Sequence, residues 1–401
     1  MPKKTLVIGA GPAGLAAASY LKRAGLPFDL VDGRPQVGGV WCTEAPDAPA
    51  WPGMRMHSSK SMTEFDGLRM PVSFPTFPTA EQYGMYLRAF VAHADLSEEF
   101  EPNTQVRSAR SLKEGLWEVE FSTGEVRPYS AVIVATGAST RRILPTQLRW
   151  DVEDAGVRWI HSDDYAGSEQ TPEGRVLVVG STQSAADVAV DLAGDPDRRI
   201  TMLWEERRWV VPRSIGPVPA DAIASAKPGF LGRLNEKIAA KAVSALQGDQ
   251  EAAGLPLPST PLLESEPVVS DELLPLVRDH RIALALDGRH LPLESFDLVV
   301  FATGHEAGVD VIDPALTADM YLDTFPRDRG DLAVLGQVSA TTGTIPLLQS
   351  QAEIAALQLR AQAIDPAAAE EFARVRTSSR AGLEEGLDQA RSIFARGRVR
   401  R

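Results

Sequence analysis

The sequence predicts an α/β fold of two Rossmann-like domains, the second inserted in the first, and three observations lead there. The stretch "TLVIGAGPAGLAAASYLKRAGLPFDLVD" reads as a buried strand, a glycine turn, an alanine-rich helix and a second strand. "VLVVGSTQSAADVAVDLA" at 176–193 repeats strand, turn and helix with one departure. Each stretch is followed at a similar distance by a hydrophobic strand ending in Ala-Thr-Gly, "YSAVIVATG" to Gly137 and "FDLVVFATG" to Gly304. Such self-similarity marks two copies of one supersecondary unit.

The first copy carries a full glycine fingerprint at Gly9, Gly11 and Gly14. The first glycine makes the tight turn, the second admits a pyrophosphate to the helix N-terminus, and the third lets helix pack on strand. Asp32 ends the second strand, where a carboxylate binds a ribose hydroxyl. The adenine dinucleotide expected here is FAD, with Thr136 of the Ala-Thr-Gly turn among its contacts.

In the second copy Gly180 and Ser184 form the turn, but Thr182 replaces the middle glycine. Its Cβ and methyl stand where the pyrophosphate must approach, so the nicotinamide cofactor expected here, NADH or NADPH, should bind weakly. After Gly304 the chain offers a strand, a glycine and threonine turn and a long helix that would complete the first domain. The boundaries that follow are 1–165 with 296–401 for the FAD domain and 166–295 for the inserted nicotinamide domain. The Pro-rich stretch 254–267 reads as a loop excursion within the insert. Leu383, Leu387, Ala390 and Phe394 recur at helical spacing and predict a packed terminal helix.

Composition narrows the function classes. The chain has 401 residues, 44% hydrophobic and 24% charged, as soluble globular proteins do. A net charge of -13 argues against nucleic acid and against anionic membrane surfaces. No apolar run reaches the roughly 18 residues of a membrane span, and the N-terminus has no signal-peptide core. The single cysteine, Cys42, excludes an internal disulfide and reads as a small buried residue, so the expected compartment is the cytoplasm.

"VGGVW" at 37–41, "MRMHSSKSMTEF" at 54–65, "ATGAS", "HSDDY" at 161–165 and "VVFATGH" follow in order with the two fingerprints. As an ordered set they resemble the flavin-containing monooxygenases, relatives of the Baeyer-Villiger enzymes, over nearly the whole chain. The resemblance implies a cleft between the two domains where reduced flavin meets dioxygen. The peroxide formed at the flavin C4a position would then oxygenate a small organic substrate, by N- or S-oxygenation or in Baeyer-Villiger fashion. Gly39 and Trp41 would line the flavin loop. His57 occupies the place where many members resemble "TNxxK", with an asparagine that supports the oxygenated flavin, and so becomes the expected catalytic residue. No metal is implied. The expected partners are a small-molecule substrate and dioxygen, with a homodimer left open.

The same resemblance aligns Pro212 and Arg213 with a recurring "W-V-L-P-R" string and sets Glu205 and Glu206 where NADPH-using members resemble "RR". A carboxylate at the strand tip accepts ribose hydroxyls and repels a 2'-phosphate, which favours NADH. Arg207 and Arg208 come next and would favour NADPH if they folded onto a phosphate. Should neither cofactor bind productively, the alternative is an FAD-dependent oxidase or dehydrogenase that takes electrons from its own substrate.

Overall fold

The computed structural model describes residues 4–45, 48–224, 243–245, 248–262, 265–337, 344–379 and 382–396. The chain opens with β1 (Thr5–Ile8), α1 (Pro12–Arg23) and β2 (Phe28–Val31), continues through α2 (Ala80–His93), and adds β3 (Phe100–Glu101). A three-stranded antiparallel sheet, Val106–Lys113, Leu116–Phe121 and Val126–Tyr129, precedes β4 (Ala131–Val134). A short β5 (Arg141–Arg142) leads out to β6 (Arg158–His161). Then come β7 (Arg175–Val179), α3 (Gln183–Ala193), β8 (Arg199–Leu203), β9 (Ile282–Ala285) and β10 (Leu298–Phe301). Another short strand, β11 (His305–Glu306), leads back to β12 (Leu332–Val334) and the long helix α4 (Thr344–Ile364).

The two large sheets match strand for strand. The first has the order β12-β4-β1-β2-β3 and the second β9-β8-β7-β10-β6. Every pairing in both is parallel. In each, the strand before the fingerprint lies between the strand that follows the helix and the strand that ends in Ala-Thr-Gly.

These strands are buried on both faces, which is why they read as continuous aliphatic runs. Val7 faces α1 and α4 through Ala17, Leu21, Ala352 and Ala355, while Leu6 and Ile8 face Trp117, Val119 and Phe121 of the antiparallel sheet. Val176 and Val178 likewise meet Ala185, Ala189 and Leu192 of α3, and Leu177 and Val179 turn to Val152, Phe296 and Phe301. Each such side chain contributes about 1.5–3 kcal/mol by leaving water.

The strand pairing runs across the boundaries expected at 165/166 and 295/296. β6 and β10, assigned from sequence to the FAD domain, hydrogen-bond to each other and to β7 in the second sheet. The physical reason is the repeat itself: β10 closes the second unit as β4 closes the first. The short strands β5 and β11, which flank the segment carrying the second sheet, pair antiparallel with Arg142 opposite His305.

Within the excursion, Val210–Val211 pairs in parallel with Val268–Val269. Residues 225–242, 246–247 and 263–264 of it, and the turn at 338–343, lie outside the described residues. The terminal helix Leu383–Arg396 packs through Leu387, Ala390 and Phe394 against Phe372, as its spacing predicts. Cys42 is buried. Among the described residues no helix is long and apolar enough to cross a membrane.

Candidate active site

The first cradle is shaped by backbone contacts that only glycine permits. Gly9 has φ +102°, and a Cβ there would sit 2.5 Å from the Ala135 carbonyl oxygen. A Cβ on Gly14 would lie 1.7 Å from the Gly9 carbonyl oxygen. Gly11 differs: its φ of -75° suits any residue, and a Cβ would meet Gly39 at ordinary contact distance, its Cα at 3.6 Å. It caps α1 without a side chain, and no acid occupies the first turn, so the amides there are left for an anion. Asp32 accepts from the Ala10 amide at 2.7 Å and the Arg34 amide at 2.9 Å, which fixes its carboxylate beside the turn.

The loop carrying Gly39 and Trp41 closes over the same turn. The Gly38 amide donates to the Ala10 carbonyl at 2.9 Å, and the Trp41 ring meets Tyr83 of α2 edge-on at 5.3 Å. Thr136 is exposed where β4 ends, beside Gly9. A turn that any Cβ would fill, free helix amides and a fixed carboxylate together fit an adenine dinucleotide.

The second cradle repeats the turn with different chemistry. Gly180 has φ +140°, and a Cβ would lie 2.2 Å from the Ala302 carbonyl oxygen. Thr182 caps α3 with the backbone geometry of Gly11, φ -90° and ψ 175°. Its hydroxyl donates to the Ala302 carbonyl at 2.9 Å and accepts from the Ala185 amide at 3.4 Å. Ser184 is exposed on the first turn of α3.

Strand register relocates the acid. The Gly9 amide donates to Val31 and the Gly180 amide to Leu203, so Trp204 stands where Asp32 stands in the first unit. Trp204 is buried in the core under α3. Glu205 is one residue further on and exposed, beside the 286–290 loop, where a Cβ on Gly288 would be 3.5 Å from its Oε1. Arg208 pairs with Glu206 at 2.8 Å, and Arg207 is exposed. Glu205 lies 25 residues after Gly180, against 23 from Gly9 to Asp32, and the second unit's loop and helix are only one residue longer, so Glu205 falls one residue past the equivalent position.

Between the units lies the loop of residues 54–65. His57 Nε2 approaches Asp187 Oδ2 on α3 to 2.9 Å. The Ser59 amide donates to Asp221 at 2.6 Å, and the Trp51 ring packs edge-on against Tyr165 at 5.0 Å. The chain thus brings His57 to the helix that starts at the second fingerprint. Sequence reasoning missed Asp187 and Asp221, since contacts between units leave no local spacing signal.

Where the two connections cross, "HSDDY" and "ATGH" meet. His305 Nε2 lies 2.8 Å from Asp163 Oδ2, and Arg142 reaches Asp163 at 3.1 Å and Asp164 at 2.7 Å. Burial alone would raise the Asp163 carboxyl, but His161 and His305 outweigh it and hold the group well below the usual carboxylate range. His161 Nδ1 accepts the Asp163 amide at 3.2 Å and lies 3.4 Å from its carboxylate. His161, Asp163 and His305 converge as metal ligands do, yet the His161 Nδ1 lone pair accepts an amide, His305 Nε2 faces the carboxylate as a donor, and a guanidinium reaches the same carboxylate. The arrangement is an ion-pair clasp on the hinge.

A family model described as flavin-binding monooxygenase-like matches residues 2–250. Indole-3-pyruvate monooxygenase YUCCA1 of Oryza sativa subsp. japonica is 26% identical over 324 residues, covering 76% of this chain and 77% of its own. Flavin-containing monooxygenase 5 of Oryctolagus cuniculus is 25% identical over 393 residues, covering 88% and 73%. Among solved structures, OTEMO in complex with FAD and NADP superposes with a TM-score of 0.71 at 16% identity, covering 98% of both chains. Cyclohexanone monooxygenase from Rhodococcus sp. Phi1 bound to NADP+ gives 0.69 at 18% identity, covering 98% and 97%. The two structural likenesses establish the fold.

Proposed function

That the chain belongs to the flavin-binding monooxygenase-like family is the premise from which we propose its function: it is an FAD-dependent monooxygenase that draws reducing equivalents from NADH or NADPH and transfers one atom of dioxygen to a small organic substrate. The observation that carries this reading is the pair of equivalent cradles on matched sheets, with His57 between them. Bound FAD supplies hydride acceptance and the activation of dioxygen.

The protein's own part is binding, orientation and shelter. The amides at the N-terminus of α1 hold the FAD pyrophosphate behind Gly9, Gly11 and Gly14, Asp32 takes a ribose hydroxyl, and Gly39, Trp41 and Thr136 line the flavin side. Gly180, Thr182 and Ser184 receive the nicotinamide pyrophosphate at α3. Glu205, Arg207 and Arg208 ring the adenosine end, where one exposed acid and one exposed arginine oppose each other in selecting the 2'-substituent. His57 presents a ring nitrogen to the reacting oxygen, and the docked 54–65 loop keeps water out. The substrate wall is drawn from residues 54–70 and from the described part of 214–272.

A cytoplasmic setting and a homodimer belong to the same proposal. The lone buried Cys42 supports the first, and Trp150, half exposed on the helix Thr146–Asp154, is an apolar side chain available for the second. The net charge of -13 supports the absence of nucleic acid among the partners.

The test is turnover under isotopically heavy dioxygen with NADH or NADPH and four substrate classes: a ketone, a 2-oxo acid, a sulfide and a tertiary amine. The carbonyl compounds come first because the named relatives act on cyclohexanone and indole-3-pyruvate. One heavy oxygen in the product of at least one class is expected. Nicotinamide oxidation that yields only hydrogen peroxide with all four would contradict the reading.

A further inference from the structure

The Asp187 carboxylate has one contact on each of its two oxygens. It lies on α3 one turn beyond Gln183, whose Nε2 donates to Asp187 Oδ1 at 3.2 Å. Gln183 is itself clamped to the Val269 backbone, donating to its carbonyl at 3.0 Å and accepting from its amide at 2.8 Å. The carboxylate therefore has one oxygen anchored within its own unit. The other, Oδ2, faces the neighbouring unit and stands 2.9 Å from His57 Nε2.

The His57 and Asp187 side chains are 21% and 10% exposed, and the 2.9 Å approach is a close contact without hydrogen-bond alignment: both ring nitrogens of His57 and Asp187 Oδ2 are buried with no hydrogen-bond partner among the described residues. Buried polar atoms are rarely left unmatched, and here the two groups face each other at 2.9 Å. The backbone around His57 is fixed separately, by Met56 donating to Pro78 at 2.9 Å and Lys60 donating to Thr76 at 2.8 Å. What those bonds leave undetermined is the imidazole, and the contact that determines it comes from the nicotinamide-binding unit.

We propose that Asp187 is a positioning residue: it holds the His57 imidazole with Nε2–H directed at Oδ2, leaving Nδ1 as the nitrogen that serves the reacting oxygen. A carboxylate facing one ring nitrogen selects the tautomer and the ring orientation of a histidine. The assignment rests on the monooxygenase reading above, and it adds that the pocket's histidine is set by the helix that begins at the second fingerprint. Displacement of α3 relative to the 54–65 loop releases the ring.

The test uses the oxidised FAD-bound protein with nitrogen-15 histidine. Long-range proton–nitrogen spectra, with the His57 signals identified by their loss in His57→Ala, are expected to show a single Nε2–H tautomer in the native chain. Asp187→Asn, which keeps the Oδ1 acceptor for Gln183, should give a mixture, and Asp187→Glu should restore the single form. In turnover, Asp187→Asn should raise several-fold the share of reducing equivalents lost as hydrogen peroxide. The double variant with His57→Ala should leak no more than His57→Ala alone. An unchanged His57 spectrum in Asp187→Asn, or peroxide losses that simply add, would overturn the proposal. If the native chain oxidises no nicotinamide at all, the monooxygenase reading falls, while the spectra still decide whether Asp187 holds the ring.

Discussion

The Thr182 hydroxyl donates to the Ala302 carbonyl oxygen at 2.9 Å, so the residue that replaces the fingerprint's middle glycine is tied to the strand closing its own unit. The same side chain caps α3 through the Ala185 amide. Thr182→Gly should therefore separate two effects. Michaelis constants for NADH and NADPH should fall together, because the backbone opens to the pyrophosphate. Thermal stability should drop slightly, since exchanging a threonine cap for glycine costs only a few tenths of a kcal/mol and one neutral hydrogen bond about 1 kcal/mol. Initial-rate kinetics alongside a melting curve check both halves.

In the first cradle, Gly11 and Gly14 should fail differently. A Cβ on Gly11 meets Gly39 at an ordinary 3.6 Å, whereas a Cβ on Gly14 would overlap the Gly9 carbonyl oxygen at 1.7 Å. Gly11→Ala is expected to fold with a near-native melting temperature and reduced FAD occupancy. Gly14→Ala is expected to lose both, because α1 cannot reach β1. Flavin absorbance per protein, paired with calorimetry, distinguishes them.

Glu205 stands one residue past the place of Asp32 and is exposed. Its influence on cofactor choice is therefore a charge effect more than a fixed hydrogen bond, and salt should weaken it. Glu205→Arg should move the NADPH-to-NADH ratio of catalytic efficiencies upward by about tenfold, the equivalent of about 1.4 kcal/mol. The shift should shrink at high ionic strength. A ratio unmoved by the substitution would assign the selection to Arg207.

The clasp on the hinge gives a pH dependence with a defined sign. The Asp163 carboxyl is held well below the usual range in the folded chain. Its contribution is fully present above the unfolded carboxylate pKa of about 3.9 and is lost as pH falls toward the depressed folded value. Removing the charge with Asp163→Asn should cost about 1.5–3 kcal/mol near neutrality, as for hydrogen bonds to charged groups. It should also flatten the acid limb of the stability curve, measured by denaturant melts at a series of pH values.

The sequence made the repeat legible because buried parallel strands and glycine turns leave local patterns: the runs before Gly9 and Gly180, and the strings ending at Gly137 and Gly304. Their partnership in two equivalent sheets follows from the same patterns. Less legible was anything set by register or by contact between units. The extra residue between Gly180 and Leu203 shifts the strand tip onto Trp204, and spacing counted from the glycine cannot see it. β6 and β10 were split from their sheet for a related reason, since a boundary drawn in sequence does not know which strands hydrogen-bond. His57 was found by its loop, but Asp187, the residue that meets it, sits in a helix whose own pattern explains only its buried alanines, Val188 and Leu192.

The central claim, that one unit delivers reducing equivalents to FAD held in the other, is tested most directly by anaerobic rapid mixing of the yellow protein with NADH or NADPH. The account predicts that at least one of them bleaches the visible flavin band, and that admitting dioxygen restores it. A protein that holds FAD in full occupancy, yet keeps its colour with both nicotinamides at saturating concentration, would contradict it.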